Sequence, residues 1–291
     1  MNHITDYLYE NQASLCHNIM FQVPYNHPFQ KVVHFEYNIY PSPSYEVMRT
    51  DFFGNKYLYF SIKKAHKKLT VVSESTIELT KPAWIGSNPE ETPQWEEVAA
   101  QLKTTKVAND VRQFYLGSEH VVLNDDIRRY ACQSFIPGKP IMSAMLDLTK
   151  RLYSDFTFTP GFTDITTPTD EVFKHRKGVC QDYAHLQLAC LRSIGLAARY
   201  VSGYIETLPP PGKPKLVGAD ASHAWVAVYI PDLGWVEFDA TNNLLVADKH
   251  IRVAVGRDFA DVTPLKGIVY SVGKQEMRVS VDVRKPEERS F

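Results

Sequence analysis

Cysteine is scarce in this sequence, and the few cysteines are far apart. The 291 residues contain four, at positions 16, 132, 180 and 190, and no two of them form a Cys-x-x-Cys pair. This spacing predicts neither a disulfide framework nor a structural zinc site. The question that the cysteines raise is whether one of them is a reactive thiol.

An excess of charge of one sign, a secretion signal and long apolar runs are also lacking. Lys and Arg number 32 and Asp and Glu 33, so no net field favours nucleic acid or anionic lipid. The first residues have no basic and apolar regions of an export signal, and no apolar run approaches the roughly 20 residues of a membrane span. We therefore expect a cytoplasmic protein without nucleic-acid or membrane partners, and the sequence indicates no oligomeric state.

Hydrophobic residues make up 44% of the chain, enough for a sizeable core, and the length favours two structural units. In the first, Val33, Phe35, Tyr37 and Ile39 alternate with polar residues, as expected of a strand with one buried face. Shorter strands are predicted at residues 57–62, 69–72 and 77–79. We predict an antiparallel β-sandwich over residues 1–80, a linker over 81–92 that is rich in proline, and a second unit over 93–291.

The second unit shows helical periodicity first and strand-like runs afterwards, which indicates an α+β domain. Helices are predicted from Thr92-Pro93 to Leu102, along the apolar face of Ile141, Met145, Leu148 and Leu152, after 167–170, and from Cys180 to Ile194 with a stop at Gly195. Strands are predicted at residues 198–205, 223–230 and 235–239, with shorter ones beyond residue 251. Residues 209–214 contain four prolines in a segment that we expect to be an exposed loop and a candidate lid.

Cys180 lies at the predicted start of the most apolar helix. A thiolate needs a positive environment, which a helix N-terminus supplies, and residues 174–177 just before it are basic. The amide of Cys180 could then serve as one donor of an oxyanion hole. The alternative is a buried cysteine that acts as a small hydrophobic residue, a reading that fits Cys190 better because it lies in mid-helix.

His223 and Asp239 lie on the two arms of a predicted hairpin. A cysteine nucleophile needs a base, and the base needs an acceptor that fixes its tautomer. Taken alone, His223 could equally be a structural histidine and Asp239 a turn former. If the two act together, their side chains must share one face of the sheet, so we predict an odd-numbered loop or a bulge, with the imidazole within hydrogen-bond reach of the carboxylate. For His223 to lie directly opposite Asp239, Tyr229 must pair with Leu233, or Val228 with Gly234. The other imidazole nitrogen should face the Cys180 sulfur.

Four ordered blocks carry a family resemblance: GVCQDYAH (178–185), RYVSGY (199–204), SHAW (222–225) and GWVEFDATN (234–242). They resemble the bacterial transglutaminase-like family of candidate cysteine proteases. DFFGN (51–55) is similar to the N-terminal region of that family, and GRDFADVTPL (256–265) is similar to a downstream block. Ala240 departs from the proline that follows the aspartate in many relatives.

The resemblance implies a papain-like, transglutaminase-like domain whose nucleophile-bearing helix packs on an antiparallel sheet. It implies Cys180 as nucleophile, His223 as base and Asp239 as the orienting acceptor, with no metal or organic cofactor. We expect acyl transfer on peptide or amide bonds, with hydrolysis favoured. The alternatives are a protein-crosslinking transglutaminase and a non-catalytic binding scaffold; a zinc hydrolase is disfavoured, because no His-Glu-x-x-His motif is present.

Overall fold

The computed structural model describes residues 1–104, 107–206 and 220–285. Its strands are β1 Asn2–Ala13, β2 Leu15–Met20, β3 Gln30–Tyr40, β4 Tyr45–Thr50, β5 Lys56–Ile62, β6 His66–Leu79, β7 Thr157–Phe158, β8 Lys177–Gly178, β9 Ala198–Ile205, β10 Ser222–Ile230, β11 Gly234–Asp239, β12 Leu244–Leu245, β13 His250–Gly256, β14 Leu265–Tyr270 and β15 Gln275–Asp282. Its helices are α1 Trp95–Leu102, α2 Asn109–Arg112, α3 Asp125–Cys132, α4 Ile141–Asp155, α5 Thr169–His175, α6 Cys180–Ser193 and α7 Phe259–Val262, with 3₁₀ turns at Pro89–Glu91 and Gln113–Tyr115.

Two antiparallel sheets of four strands form an N-terminal sandwich. Their strand orders are β15-β1-β6-β3 and β14-β2-β5-β4. Leu69 and Val71 of the first sheet pack in one buried cluster with Leu58, Phe60 and other residues of the second sheet. The predicted sandwich is therefore confirmed, because apolar side chains alternate along these strands and point into a shared core.

The strand predictions for this sandwich were incomplete. β1 and β2 were missed; in β1 the inward positions include polar His3 and Thr5, both buried, so the apolar alternation is hidden. Residues 69–72 and 77–79 belong to one long strand, β6. Val33 lies at a bulge in the pairing of β3 with β6, so it is 52% exposed instead of buried.

The last two strands complete the sandwich from the far end of the chain. β14 pairs with β2, and β15 pairs with β1. These strands pair with partners more than 200 residues away, so no local sequence pattern could assign the pairing. The division of the chain at residues 81–92 stays a prediction. Within that segment Trp84 is buried and its indole donates to the Val246 carbonyl at 2.8 Å.

Beyond the sandwich, helices pack on an antiparallel sheet ordered β12-β11-β10-β9-β13, which confirms the predicted α+β arrangement. Helix α6 begins at Cys180 as predicted and ends at Ser193, after which Gly195 has a φ of 85°. The predicted apolar face of α4 is fully buried.

Helix α1 begins later than predicted, at Trp95. Thr92, which the sequence indicates as its cap, instead accepts the Met142 amide at 3.1 Å in the first turn of α4. Thr92 therefore caps a helix as its sequence pattern predicts, but the helix that it caps is α4 and not α1.

Two amide side chains of the sandwich, Gln30 and Asn55, form hydrogen bonds to β13, the outer strand of the five-stranded sheet. Gln30 accepts the Arg252 amide at 2.7 Å and donates to the Arg252 carbonyl at 2.8 Å. Asn55 forms the same pair of bonds with Val255, at 2.8 and 2.7 Å. The free edge of β13 is thus paired by side chains, which satisfies its backbone groups and fixes the two units against each other.

Across the described ranges, none of the helices has the length and apolar character needed to span a membrane.

Candidate active site

Cys180 occupies the first turn of α6, where the geometry depends on Asp182 and Gly178. The Asp182 carboxylate accepts the Val179 amide at 2.7 Å and the Thr163 hydroxyl at 2.6 Å. A Cβ on Gly178 would lie only 2.7 Å from Asp182, so glycine is required here by close approach. The amides of the first helical turn have no intrahelical partner, so the positive end of the helix dipole lies at the turn that carries Cys180.

The other three cysteines lie in different surroundings. Cys16 and Cys190 are buried, whereas Cys132 is exposed and Cys180 is partly exposed. Burial raises the pKa of Cys190 to about 12. Of the four thiols, Cys180 alone is both reachable and placed at a helix N-terminus.

The β10–β11 hairpin has the predicted odd-numbered loop. Ile230 lies opposite Gly234, which leaves the three residues between them as the loop. The Leu233 amide donates to the Ile230 carbonyl at 3.2 Å, with Asp232 at a φ of 66°. Proline followed by a residue of positive φ is typical of a tight turn of this kind.

The register of the hairpin is one step away from the pairing that would place His223 directly opposite Asp239. Val226 lies opposite Phe238, so the pairing continues with Asp239 beside Trp225 rather than directly opposite His223. His223 and Asp239 are therefore diagonal neighbours. They still share one face of the sheet. Asp239 is on the same face as Trp225 beside it, and His223 is two residues from Trp225 along the same strand.

His223 and Asp239 are joined by a short hydrogen bond. His223 Nε2 lies 2.7 Å from Asp239 Oδ2, and the Asp239 side chain has no exposed surface. The predicted contact is therefore present. Since Nε2 faces the carboxylate, Nδ1 is the nitrogen left for the Cys180 thiol, whose side chain is a second hydrogen-bond partner of His223.

The pKa of His223 is raised and the pKa of Asp239 is lowered, and both shifts favour a charged pair. Burial alone would lower the pKa of His223, but the hydrogen bond with Asp239 and then that with Cys180 outweigh it and raise the pKa to about 10. Burial would likewise raise the pKa of Asp239, yet its bonds with His223 and His250 hold it well below the ordinary value. At neutral pH the imidazole is accordingly protonated and the carboxylate charged.

Asp239 has further donors that the sequence did not indicate. His250 Nε2 lies 3.0 Å from Oδ2, the same oxygen that His223 contacts, and Asn242 Nδ2 lies 2.7 Å from it. Oδ1 accepts the backbone amides of Thr241 at 3.0 Å and Asn242 at 3.2 Å. The carboxylate is thereby held in one orientation without solvent contact.

His223, Asp239 and His250 also offer a nitrogen–oxygen set that could hold a metal ion, since their ligand atoms lie within 4.8 Å of one another. Zinc accepts such ligands. An ion there would have to replace the protons that both histidines share with Asp239. The same atoms can therefore serve a metal or the hydrogen-bonded pair, but not both at once.

A second set of buried side chains lies two residues from His223, Asp239 and His250, on strands β10, β11 and β13. Trp225 donates to Glu237 at 2.8 Å, and Arg252 Nε contacts the other Glu237 oxygen at 2.7 Å. Glu237 and Arg252 are each 1% exposed. A Cβ on Gly203 would overlap the Ile251 carbonyl oxygen and lie 2.6 Å from the Trp225 ring, so glycine is required by both the neighbouring strand and the indole next to His223.

The sequence indicated Cys180, His223 and Asp239 as candidate site residues, and the structure places them together. It gave no sign of His250, because an isolated histidine at the start of a strand carries no motif. Asn242 ends the GWVEFDATN segment, yet nothing in the local sequence shows that its side-chain amide turns back to Asp239. The predicted loop at 209–214 lies outside the described residues.

Comparison with known protein families gives two matches, one in the N-terminal part of the chain and one in its middle. Residues 137–240 match the model of the transglutaminase-like superfamily. Residues 1–78 match that of the bacterial transglutaminase-like N-terminal region.

Relatives in curated collections include an uncharacterized protein of Mycobacterium tuberculosis, 38% identical over 97% of this chain and 91% of that protein. A protein-glutamine gamma-glutamyltransferase of Pseudomonas aeruginosa is 32% identical over 120 residues, which are 41% of this chain and 17% of that enzyme. Among solved structures, a protein of Cytophaga hutchinsonii described as a candidate cysteine protease superposes with a TM-score of 0.71 over 98% of this chain and 92% of that one. Its identity is 19%, so this likeness concerns the fold.

Proposed function

The chain belongs to the transglutaminase-like superfamily, and from this premise we propose that it is a cysteine-dependent acyl-transfer enzyme that hydrolyses peptide or amide bonds. The observation that carries the proposal is the buried bond between His223 and Asp239, with Cys180 as the second partner of the same imidazole. Nucleophile, base and orienting acceptor are the minimal set for thiol catalysis.

The reaction begins with the Cys180 sulfur attacking the amide carbonyl carbon, while the helix-end amide of Cys180 stabilises the negative charge on the oxygen. The C–N bond then breaks, and the proton that His223 holds passes to the departing amine. A thioester remains. Neutral His223 next takes a proton from water, the hydroxide attacks the thioester, and the carboxylic acid and the Cys180 thiolate are released.

Asp239 contributes by position and charge. It accepts the Nε2 proton of His223, which directs Nδ1 toward the sulfur and stabilises the imidazolium. His250 and Asn242 prevent the carboxylate from turning away, because both donate to the oxygen that His223 uses.

Hydrolysis and amine transfer share the thioester and differ only in what resolves it. We favour water, since no dedicated amine site is indicated by the sequence; the Pseudomonas relative, a glutamyltransferase by name, favours an amine. A non-catalytic scaffold is the other candidate. The intact contact between His223 and Asp239 argues against it.

Incubation of the protein with a casein digest in ¹⁸O water, with and without a primary amine, separates these outcomes. We expect new carboxyl groups that carry the heavy oxygen, with little incorporation of amine, when the products are measured by mass spectrometry. Predominant amine adducts would identify a transglutaminase. No change in any peptide, with the folded protein at high concentration, would favour the scaffold.

A further inference from the structure

A groove lies between the sandwich and the helical unit, next to the proposed nucleophile. It encloses about 300 Å³. One wall consists of β1 and β15 side chains, with Val279 paired to Thr5. Gln181 and Ser222, the chain neighbours of Cys180 and His223, line the opposite side. The groove therefore begins one residue along the chain from the proposed nucleophile and from the proposed base.

The wall of the groove is apolar and is exposed to solvent. Met277, Val279 and Ile165 line it and are 57%, 49% and 60% exposed. These three side chains are exposed, so the need to form a buried core does not explain why they are apolar. Their grouping around one recess beside the proposed nucleophile is typical of a binding surface. Their exposed surface would be covered by a ligand that brings apolar area of its own.

The groove also lacks charge. Among the residues that the structure describes, none that lines the groove is Asp, Glu, Lys or Arg. Its histidine, His3, is buried, and burial lowers its pKa to about 4, so it is neutral at physiological pH. A charged side chain entering the groove would lose hydration without gaining a partner of opposite charge.

We propose that this groove binds an uncharged, apolar side chain of the peptide substrate, close to the carbonyl that Cys180 attacks. The inference rests on the proposed function, since it names the substrate class of the same site. The small volume suits one or two side chains of an extended peptide rather than a folded surface. The N-terminal sandwich then takes part in substrate selection, because β1 and β15 supply one wall.

The test uses alkylation of Cys180 by peptidyl acyloxymethyl ketones, with iodoacetamide as the small reference reagent. Each of the three residues nearest the electrophile is varied in turn among Leu, Phe, Lys and Glu. At one position we expect Leu or Phe probes to react at least about tenfold faster than Lys or Glu probes, as is usual for an apolar pocket. Equal rates for all probes, with rapid labelling by iodoacetamide, would overturn the groove assignment and leave the proposed function standing.

Variants locate the preference. Val279→Asp and Met277→Asp should each remove most of the preference for apolar probes and leave the iodoacetamide rate unchanged. Val272→Asp is the matched control, because Val272 is exposed in the turn between β14 and β15 and does not line the groove. If all three variants behaved alike, the groove would not be the selecting element. If iodoacetamide labelled Cys180 no faster than Cys132, the proposed function would fail, and this inference with it.

Discussion

Replacing Cys180 with alanine is expected to lower turnover of any peptide or amide substrate by roughly four orders of magnitude or more, because no thioester can form. The thermal midpoint should change by only a few degrees, since the side chain is small and partly exposed. Product formation and thermal unfolding, measured on the same preparation, check both parts.

Cys132→Ala is the control for this variant. Cys132 is exposed and ends α3 rather than beginning a helix, so its removal should leave turnover intact. Unchanged turnover in Cys180→Ala would contradict the thiol mechanism.

Chelation distinguishes the thiol mechanism from a metal at the His223–Asp239–His250 cluster. EDTA should leave turnover unchanged, because the protons between these side chains occupy the ligand positions. Loss of activity with EDTA and its return with zinc would show that an ion is required.

Replacing Glu237 with alanine should destabilise the protein by about 3–5 kcal/mol, the usual cost of breaking a buried ion pair by removing one partner. Both Glu237 oxygens are used, by Arg252 at 2.7 Å and by Trp225 at 2.8 Å, and the variant leaves the guanidinium buried without its carboxylate. Urea unfolding measures the loss. Because Trp225 packs beside His223, turnover should fall as well.

Glu276→Ala is the comparison for this second prediction. Glu276 also contacts an arginine at 2.7 Å, but its partner Arg278 and Glu276 itself are both largely exposed. Solvent screens such a pair, so the free energy of unfolding should hardly change. Equal losses in the two variants would show that burial of the Glu237 pair has no special weight.

The parts of this site that the sequence predicted depend on short-range rules. A basic segment, a glycine and an apolar run place Cys180 at the start of a helix, and parity along two strands places His223 and Asp239 on one face. These rules act over a few residues, so they can be applied without knowing the fold.

The parts that escaped prediction depend on contacts between distant segments. The β10–β11 pairing is offset by one step because the turn at Asp232 sets the register, and no residue count reveals which turn forms. His250 reaches Asp239 only because β13 lies beside β9 in the same sheet. Asn55 ends the DFFGN segment that carries part of the family resemblance. Its structural role, hydrogen bonding to the edge of β13, becomes visible only in the folded chain.

The central claim, that His223 and the helix end activate Cys180, is tested most directly by competitive alkylation of the four cysteines with limiting iodoacetamide, followed by mass mapping. In the native protein we expect Cys180 to react on the order of tenfold faster than exposed Cys132, with Cys16 and Cys190 protected by burial. In His223→Ala, the rate at Cys180 should fall toward that of Cys132. Equal rates at Cys180 and Cys132 in the native protein, unchanged by His223→Ala, would contradict the account.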